Sequence, residues 1–209
     1  MKMLTGLCVR CEKLKAVAAI VAVLLLSACS VLPEREPVEL FQLPTSSISS
    51  NASGAIAGGL HLLTPDSSDT LGGTRLLILE NNSFQAWPAS RWAAPIPQLW
   101  RDWLLDAFWR DGRFSGLSTD NTVLQAERSI NGMLRALHTE NIAGRTSAVI
   151  RFDAQLIDSA SRVIIASQRF EAREPLNSNS AQAAVAALGI AADRLARELI
   201  DWAAAQSPR

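Results

Sequence analysis

The chain has 209 residues, of which 48% are apolar and 19% are charged, and its formal net charge is zero. This length and composition are typical of one globular domain with an apolar core, and they exclude a disordered or fibrous protein. Four of the 20 basic and one of the 20 acidic residues precede Cys29, so the rest of the chain holds 16 basic and 19 acidic residues. A chain without a basic excess lacks the surface that nucleic-acid binding requires, so we expect no nucleic-acid partner.

The N-terminal 28 residues have the organisation of a bacterial secretion signal. A basic stretch that ends at Lys15 is followed by an apolar run over residues 16–28, which is too short for a bilayer core that needs about 20 helical residues. The run closes on a branched residue, two small residues and a cysteine, which resembles the bacterial lipobox: Leu26, Ser27, Ala28 and Cys29. We expect cleavage between Ala28 and Cys29. The alternative is an ordinary signal in which Cys29 is incidental.

Cysteine usage supports an anchor at Cys29. Its thiolate is the nucleophile that takes a diacylglycerol as a thioether, and its new amino group takes a further acyl chain such as palmitate. Cys8 and Cys11 form a C-x-x-C pair, a spacing typical of redox or metal sites. Both precede the expected cleavage site, so we interpret the pair as chance. No cysteine follows Cys29, so the mature domain has no internal disulfide to stabilise it.

Residues 29–58 are interpreted as an acylated N-terminus, a first strand and a flexible linker. A short polar tether leads to a strand-like run over residues 38–43. Residues 45–58 are rich in Ser, Gly and Ala, so we expect them to bury almost nothing. The folded domain is therefore expected over residues 59–209.

The domain begins with short strands and a helix. Short β-type runs are predicted at 60–63, 74–80 and 83–87, with a tight turn at Asn81-Asn82. Apolar residues recur at helical spacing between Pro95 and Gly112, which predicts an amphipathic helix. Residues 113–118 look like a strand that returns from it.

The second half repeats the order of strands and helix. Residues 125–139 fit a helix or a strand, but the Asn131-Gly132 pair costs a helix interior about 1 kcal/mol relative to alanine and favours the strand. Clean alternation over 150–156 predicts an antiparallel strand that pairs, through a turn at 158–161, with 162–173. A long C-terminal helix is indicated by Leu188, Ala192, Leu195, Leu199 and Trp202. The order predicts an α+β fold, a mainly antiparallel sheet with two main helices packed on one face.

Few residues suggest chemistry. His61 and His138 stand far apart in the sequence without a cysteine partner, so we predict neither a zinc site nor a Ser-His-Asp triad. The Gly58-Gly59 and Gly72-Gly73 pairs are interpreted as loops rather than phosphate cradles. Four aspartates have a spacing that fits solvated helix and strand faces better than catalytic pairs: Asp102, Asp106, Asp111 and Asp153. We therefore predict no catalytic residue, no metal and no cofactor beyond the acyl groups on Cys29.

Six tryptophans and no tyrosine are unusual for a small domain. Trp100, Trp103 and Trp109 stand on one predicted helix, and their steps sweep around it, so they cannot all point inward. One or two of them are candidates for a partner-facing or lipid-facing surface, because an indole combines apolar area with a polar group. The alternative is core packing with one incidental surface ring. Leu104 and Phe108 are the expected core anchors.

Several segments together resemble the ABC-type transport auxiliary lipoprotein family. The lipobox is followed by the strand VELFQLP, and the resemblance continues to about Ala205 without the linker. Its most specific pieces are Ser90-Arg91-Trp92 before the helix, Asp111-Gly112-Arg113-Phe114 after it, and the hairpin around Asp158. The resemblance also supports a strand over 125–139.

The resemblance implies a role rather than a reaction. Members of this family are periplasm-facing lipoproteins of MCE-type lipid transport systems, and they carry no known catalytic residue. Implied partners are an MCE-domain protein, a permease and an ATPase, with the membrane reached through the acyl chains; homo-oligomer formation stays open. Ser30 follows the cysteine where aspartate would favour inner-membrane retention in many Gram-negative bacteria, so we expect the outer membrane. The alternative functions are an assembly lipoprotein that pairs with an outer-membrane protein and, less favoured, a secreted hydrolase.

We predict that Cys29→Ala abolishes acylation. A buried methylene contributes about 0.8 kcal/mol to membrane binding, and two or more chains are needed to hold a protein at the membrane. The variant should remain a precursor that incorporates no labelled fatty acid. Equal labelling of the variant and the original chain would contradict the anchor.

Overall fold

The structure of the protein is a computed structural model that describes residues 37–50, 56–122 and 124–206. The predicted signal, the Cys8–Cys11 pair, the lipobox and Cys29 lie outside the described residues. The described chain forms, in order, β1 (Glu39–Phe41), β2 (Ile56–Leu62), β3 (Asp66–Ser67), β4 (Arg75–Glu80), β5 (Ser83–Trp92), helix α1 (Ile96–Asp111), β6 (Phe114–Thr119), β7 (Arg128–Ile142), β8 (Arg145–Asp158), β9 (Ile164–Pro175) and helix α2 (Ala181–Ala205). Within these ranges neither helix is long and apolar enough to cross a membrane.

The local signals in the sequence place the turn and the first helix. Asn81 and Asn82 both have positive φ, 49° and 62°, as a two-residue turn between twisted antiparallel strands requires. Helix α1 begins after Pro95 and ends at Gly112, whose φ of 76° lies in the left-handed region. The Gly112 N–H donates to the carbonyl of Phe108, so it satisfies one of the free carbonyls at the end of the helix.

The segment 125–139, whose pattern fitted both a helix and a strand, lies mostly in strand β7. This agrees with the preference for a strand that Asn131-Gly132 indicated. Gly132 lies opposite Ala154 of β8, and the backbones approach so closely that a Cβ at position 132 would overlap the carbonyl of Asp153. A glycine is therefore required at this position for the pairing of the two longest strands.

Strand β7 is the centre of a mixed sheet. Strand β8 pairs with it antiparallel along one edge over its whole length. Along the other edge, three parallel strands pair with it in succession, namely β2, β3 and β4. Strand β9 extends the sheet antiparallel beyond β8, β5 pairs antiparallel with β4, β1 is parallel to β5 and β6 is parallel to β2. The α+β class is confirmed, with long antiparallel ladders and short parallel ones.

Both helices pack on one face of the sheet. Trp100 of α1 meets Phe152 of β8 at a ring distance of 6.2 Å, and Trp202 of α2 meets Phe170 of β9 at 5.6 Å. The inward residues of β8 alternate with polar ones, as predicted: Ile150, Phe152, Ala154 and Leu156 are buried. The opposite face of β8 carries charged side chains, so the core lies in a single layer between sheet and helices.

The interpretation of residues 45–58 as a segment that buries almost nothing is wrong for the residues that the structure describes. Ser46 and Ile48 are 4% and 7% exposed, and Ile56, which begins β2, is 5% exposed. Residues 51–55 lie outside the described chain. We call residues 43–50 the strap, because they run across both helices.

The strap is held by hydrogen bonds and close packing. Its anchor is Asp193 of α2, which accepts from the Ser46 hydroxyl at 2.7 Å and from the backbone N–H and hydroxyl of Ser47. Pro44 packs on Gly189 so closely that a Cβ there would lie 2.7 Å from the proline Cγ. The Trp103 indole of α1 donates to the Pro44 carbonyl at 2.7 Å. The strap therefore joins α1 to α2, a contact set that serine-rich composition does not reveal.

We predict that Asp193→Ala loosens the strap and lowers the free energy of unfolding by about 3 kcal/mol. The change removes the charged acceptor of three donors and leaves the O–H of the buried Ser46 without its acceptor. Urea denaturation measures the effect. Asp201→Ala is the matched control on the same helix, since Asp201 pairs with Arg113 at the exposed surface and such pairs contribute about 1 kcal/mol or less. Equal losses in the two variants would contradict an anchoring role for Asp193.

Candidate functional site

The three tryptophans of α1 point in different directions, as their spacing predicts. Trp100 is fully buried and stacks on Trp103 with ring centres 5.7 Å apart. Trp103 is 7% exposed and reaches the strap, whereas Trp109 is 57% exposed. Leu104 and Phe108 are buried as predicted. Of the three candidates for a partner or lipid surface, only Trp109 is accessible.

The candidate aspartates are engaged in ion pairs. Asp102 and Asp106 are exposed on α1 and pair with Arg101 and Arg110. The expectation of a solvated face is wrong for Asp111, which is 4% exposed. Its carboxylate accepts two bonds from the Arg113 guanidinium, at 2.7 and 3.0 Å, and this pair closes the turn between α1 and β6.

The helix-free face of the sheet carries a ladder of charges across β7, β8 and β9. Asp153 lies between Arg169 and Arg135, and its hydrogen bonds to these two arginines lower the pKa of the carboxyl to about 2. Glu171 lies between Arg151 and Arg173, whose hydrogen bonds likewise lower its pKa to about 2. Both carboxylates are ionised at neutral pH and fully paired, so this ladder stabilises the sheet and supplies no general acid.

The glycine pairs hold no phosphate cradle. Gly58 and Gly59 lie within β2, so their interpretation as a loop is wrong. They face Glu127 and Ala126 so closely that a Cβ at either position would crowd them, and a nearby carboxylate repels phosphate. Gly72 and Gly73 do lie in the bend before β4, as predicted.

An open cleft of about 790 Å³ lies where β2 ends and β8 turns into β9. Its walls are mostly apolar and include Leu63, Leu124 and Ile157, with His61 and Arg162 among the polar groups. Directly after Arg162 come three exposed apolar residues on an edge strand and its approach: Val163, Ile164 and Ile165. Sequence reasoning missed this cleft. The run of three branched residues was the available signal, because it breaks the alternation of a half-buried strand.

The two histidines have separate surroundings. Nδ1 of His61 lies 2.8 Å from the Ser118 hydroxyl on the neighbouring strand. His138 is 3% exposed, and neither of its ring nitrogens has a hydrogen-bond partner. The Phe84 ring meets it edge-on at 5.1 Å, and Nε2 lies 3.4 Å from Glu140. No group of three or more His, Cys, Asp or Glu side chains within the described ranges is arranged to hold a metal.

Burial lowers the pKa of His138, an effect that Glu140 opposes and that Arg151 and Arg173 reinforce. As the pH falls below about 6.5, His138 therefore takes up a proton in the unfolded chain while it stays neutral in the folded chain.

We predict that the free energy of unfolding decreases with falling pH in this range, by about 1.4 kcal/mol per pH unit at most. His138→Gln should flatten this dependence in urea titrations between neutral and mildly acidic pH. The matched control is His61→Gln, which removes the other histidine of the chain and leaves His138 in place. An unchanged slope in His138→Gln would show that other groups carry the dependence.

Solved structures of low sequence identity share this fold. Protein XCC0632 of Xanthomonas campestris, described under the family model DUF330, is 19% identical with a TM-score of 0.73, over 80% of this chain and 96% of that chain. Hypothetical protein CT253 of Chlamydia trachomatis is 12% identical with a TM-score of 0.50, over 72% of this chain and 98% of that chain. None of the curated proteins matches the chain.

The strongest comparison is with a family model. The model of the ABC-type transport auxiliary lipoprotein component matches residues 41–200. This range begins in β1, contains both helices up to the last turns of α2, and includes every strand from β2 to β9. The chain therefore belongs to the family of ABC-type transport auxiliary lipoprotein components.

Proposed function

We propose that this protein is the auxiliary component, neither ATPase nor permease, of an MCE-type ABC system that moves phospholipid or sterol-like lipid across the periplasm. Membership of the transport auxiliary family supports the role. The observation that carries a docking function is Trp109, an indole that α1 leaves 57% exposed while its other large aromatic side chains are buried. Tryptophan is highly buried on average in folded domains, and an exposed indole offers a partner apolar area together with a polar group.

Trp109 has the surroundings of a contact residue. It follows Phe108, which is fully buried and packs on Phe114 at 5.4 Å, so the backbone under Trp109 is fixed by the core. Next to it, Arg110 and Asp106 form an exposed ion pair. A rigid aromatic ring beside charged groups is typical of residues that dominate a protein interface.

Lipid as the transported class is supported by the apolar cleft at the end of β2. A volume of about 790 Å³ lies within the range of small-molecule sites, which have mostly apolar walls and few polar groups. Leu124, at its rim, is 66% exposed. Acyl chains or a sterol ring system fit such walls better than a sugar or a peptide does.

The proposed location is the periplasmic side of the outer membrane, with the acyl chains of Cys29 as the covalent anchor. Ser30, rather than aspartate, follows the cysteine. Strand β1 begins ten residues after Cys29, so the tether reaches about 35 Å at full extension. The domain therefore works close to the membrane surface and reaches the rest of the system through partner proteins.

We predict that Trp109→Ala folds normally but loses its partner. Affinity purification from crosslinked cells, with proteins and lipids both identified, should recover an MCE-domain protein with the original chain and much less with the variant. Ile190→Ala is the matched control, because Ile190 is 52% exposed on the other helix. Phe108→Ala should instead cost about 3–5 kcal/mol of stability.

The same purification separates the alternatives. Recovery of an outer-membrane β-barrel protein without an MCE-domain protein would favour the assembly lipoprotein. If Trp109→Ala keeps its melting temperature and its partners, the docking surface lies elsewhere. If it melts as early as Phe108→Ala, Trp109 contributes to packing only.

A further inference from the structure

Three side chains line up across strands β1, β5 and β4 on the helix-free face of the sheet. Leu40 pairs in register with Arg91, and Arg91 pairs in register with Arg75. Directly opposite residues of neighbouring strands project on the same side. Their sequence neighbours Phe41, Trp92 and Leu76 pack in or against the core, so the row points the other way. We call Leu40, Arg91, Arg75 and the nearby Val38 the tether patch.

The tether patch is exposed and its charges are unpaired within the described chain. Leu40 is 66% and Val38 is 49% exposed, and both arginines are exposed as well. Further along the same face, Arg135, Arg151, Arg169 and Arg173 each pair with a carboxylate, whereas Arg75 and Arg91 pair with none that the structure describes. Like charges placed opposite each other in a sheet repel, so an anion bound between them is favourable.

The nearest acidic residue of β1 does not compensate these arginines. Glu39 projects to the opposite face, where its carboxylate accepts from the Gln182 side chain of α2 at 2.8 Å. The patch therefore combines two apolar side chains with two arginines that have no carboxylate partner in the described chain. This composition suits a membrane surface, where anionic head groups cover an apolar layer of acyl chains.

The position of the patch in the chain indicates which surface this is. Val38 lies nine positions after Cys29, and a chain of that length spans about 30 Å at most. Once the acyl chains of Cys29 enter a bilayer, the patch lies within reach of the phospholipid head groups. The short tether also raises the effective concentration of lipid at the patch, so a contact that is weak on its own suffices to orient the domain.

We infer that the tether patch docks on anionic phospholipid head groups of the membrane that holds the acyl chains. The guanidinium groups of Arg75 and Arg91 bind phosphate oxygens, for which the planar fork of arginine is suited. Leu40 and Val38 enter the boundary between head groups and acyl chains. Docking lays the β1 edge and the helix-free face against the bilayer and leaves α1, with Trp109, facing away. The inference needs acylation at Cys29 and does not depend on the transported lipid or on any partner protein.

The test uses the acylated mature protein in vesicles. Leu40→Cys introduces the single free thiol of this form, since no other cysteine follows Cys29, and it takes a small fluorophore. Vesicles of phosphatidylcholine, with or without phosphatidylglycerol, carry a nitroxide on some head groups. We expect strong quenching in the vesicles with phosphatidylglycerol, weaker quenching in phosphatidylcholine alone, and loss of the difference at high salt, which screens exposed charges. Ile190→Cys, a position of similar exposure on α2, should remain unquenched.

Charge variants identify the groups responsible. Arg75→Gln with Arg91→Gln should reduce quenching at position 40 to the level seen without phosphatidylglycerol. The matched control is Arg145→Gln with Arg197→Gln, which removes two exposed arginines that also lack an ion pair in the described chain and that lie outside the cleft at the end of β2; it should change nothing. Melting temperatures of both double variants verify that they fold.

Four outcomes would overturn the inference. Equal quenching with and without phosphatidylglycerol would show that binding of the patch does not depend on anionic lipid. Equal quenching in the two double variants would show that Arg75 and Arg91 do not bind the head groups. Disulfide formation between two copies at Leu40→Cys, with no quenching, would make the patch an interface between copies. The sequence between Cys29 and Val38 holds two carboxylates, Glu34 and Glu36. Weak quenching in all vesicles that becomes strong in Glu34→Gln with Glu36→Gln would show that these carboxylates, and not lipid, bind the two arginines.

Discussion

The sheet depends on the close approach of β7 and β8 at Gly132. A Cβ at this position would overlap the carbonyl of Asp153, so the backbones of the two longest strands can meet there only because the side chain is absent. Strand β7 in turn pairs with β2, β3 and β4 along its other edge. Every other strand is attached through these pairings. The same glycine that favoured a strand over a helix for this segment is thus the residue on which the topology rests.

The helix layer depends on a second set of contacts, which the strap provides. Asp193 is a carboxylate on a largely apolar helix, and burying it is favourable only because Ser46 and Ser47 donate to it. Pro44 fills the space that Gly189 leaves and accepts from Trp103. Since no cysteine follows Cys29, these contacts hold the N-terminal segment on the domain without a covalent link.

Local patterns were sufficient for the elements and insufficient for contacts between distant residues. The turn at Asn81-Asn82, the end of α1 at Gly112 and the alternation of β8 are set within a few residues, so the sequence predicted them. The burial of Ser46 and Ile48 is determined by Asp193, 147 positions from Ser46, and a serine-rich segment looks the same whether or not a partner exists. Asp111 was misjudged for a related reason, because its burial comes from the bidentate bond to Arg113. For the candidate site, helical spacing showed that the three tryptophans diverge, but only packing decides that Trp109 is the exposed one.

Arginine has two distinct roles on the helix-free face. On β7, β8 and β9 it alternates with carboxylates, and the resulting ladder covers the sheet where no helix does. On β4 and β5 the same residue type stands without a carboxylate in the described chain, beside the exposed Leu40. Paired charges at a surface contribute little to binding a further ion, because the fields of the two opposite charges largely cancel beyond the pair itself. An anion from outside the chain is therefore bound most favourably beside Arg75 and Arg91. These two arginines lie at the end of the face at which β1, the first described strand, lies beside β5.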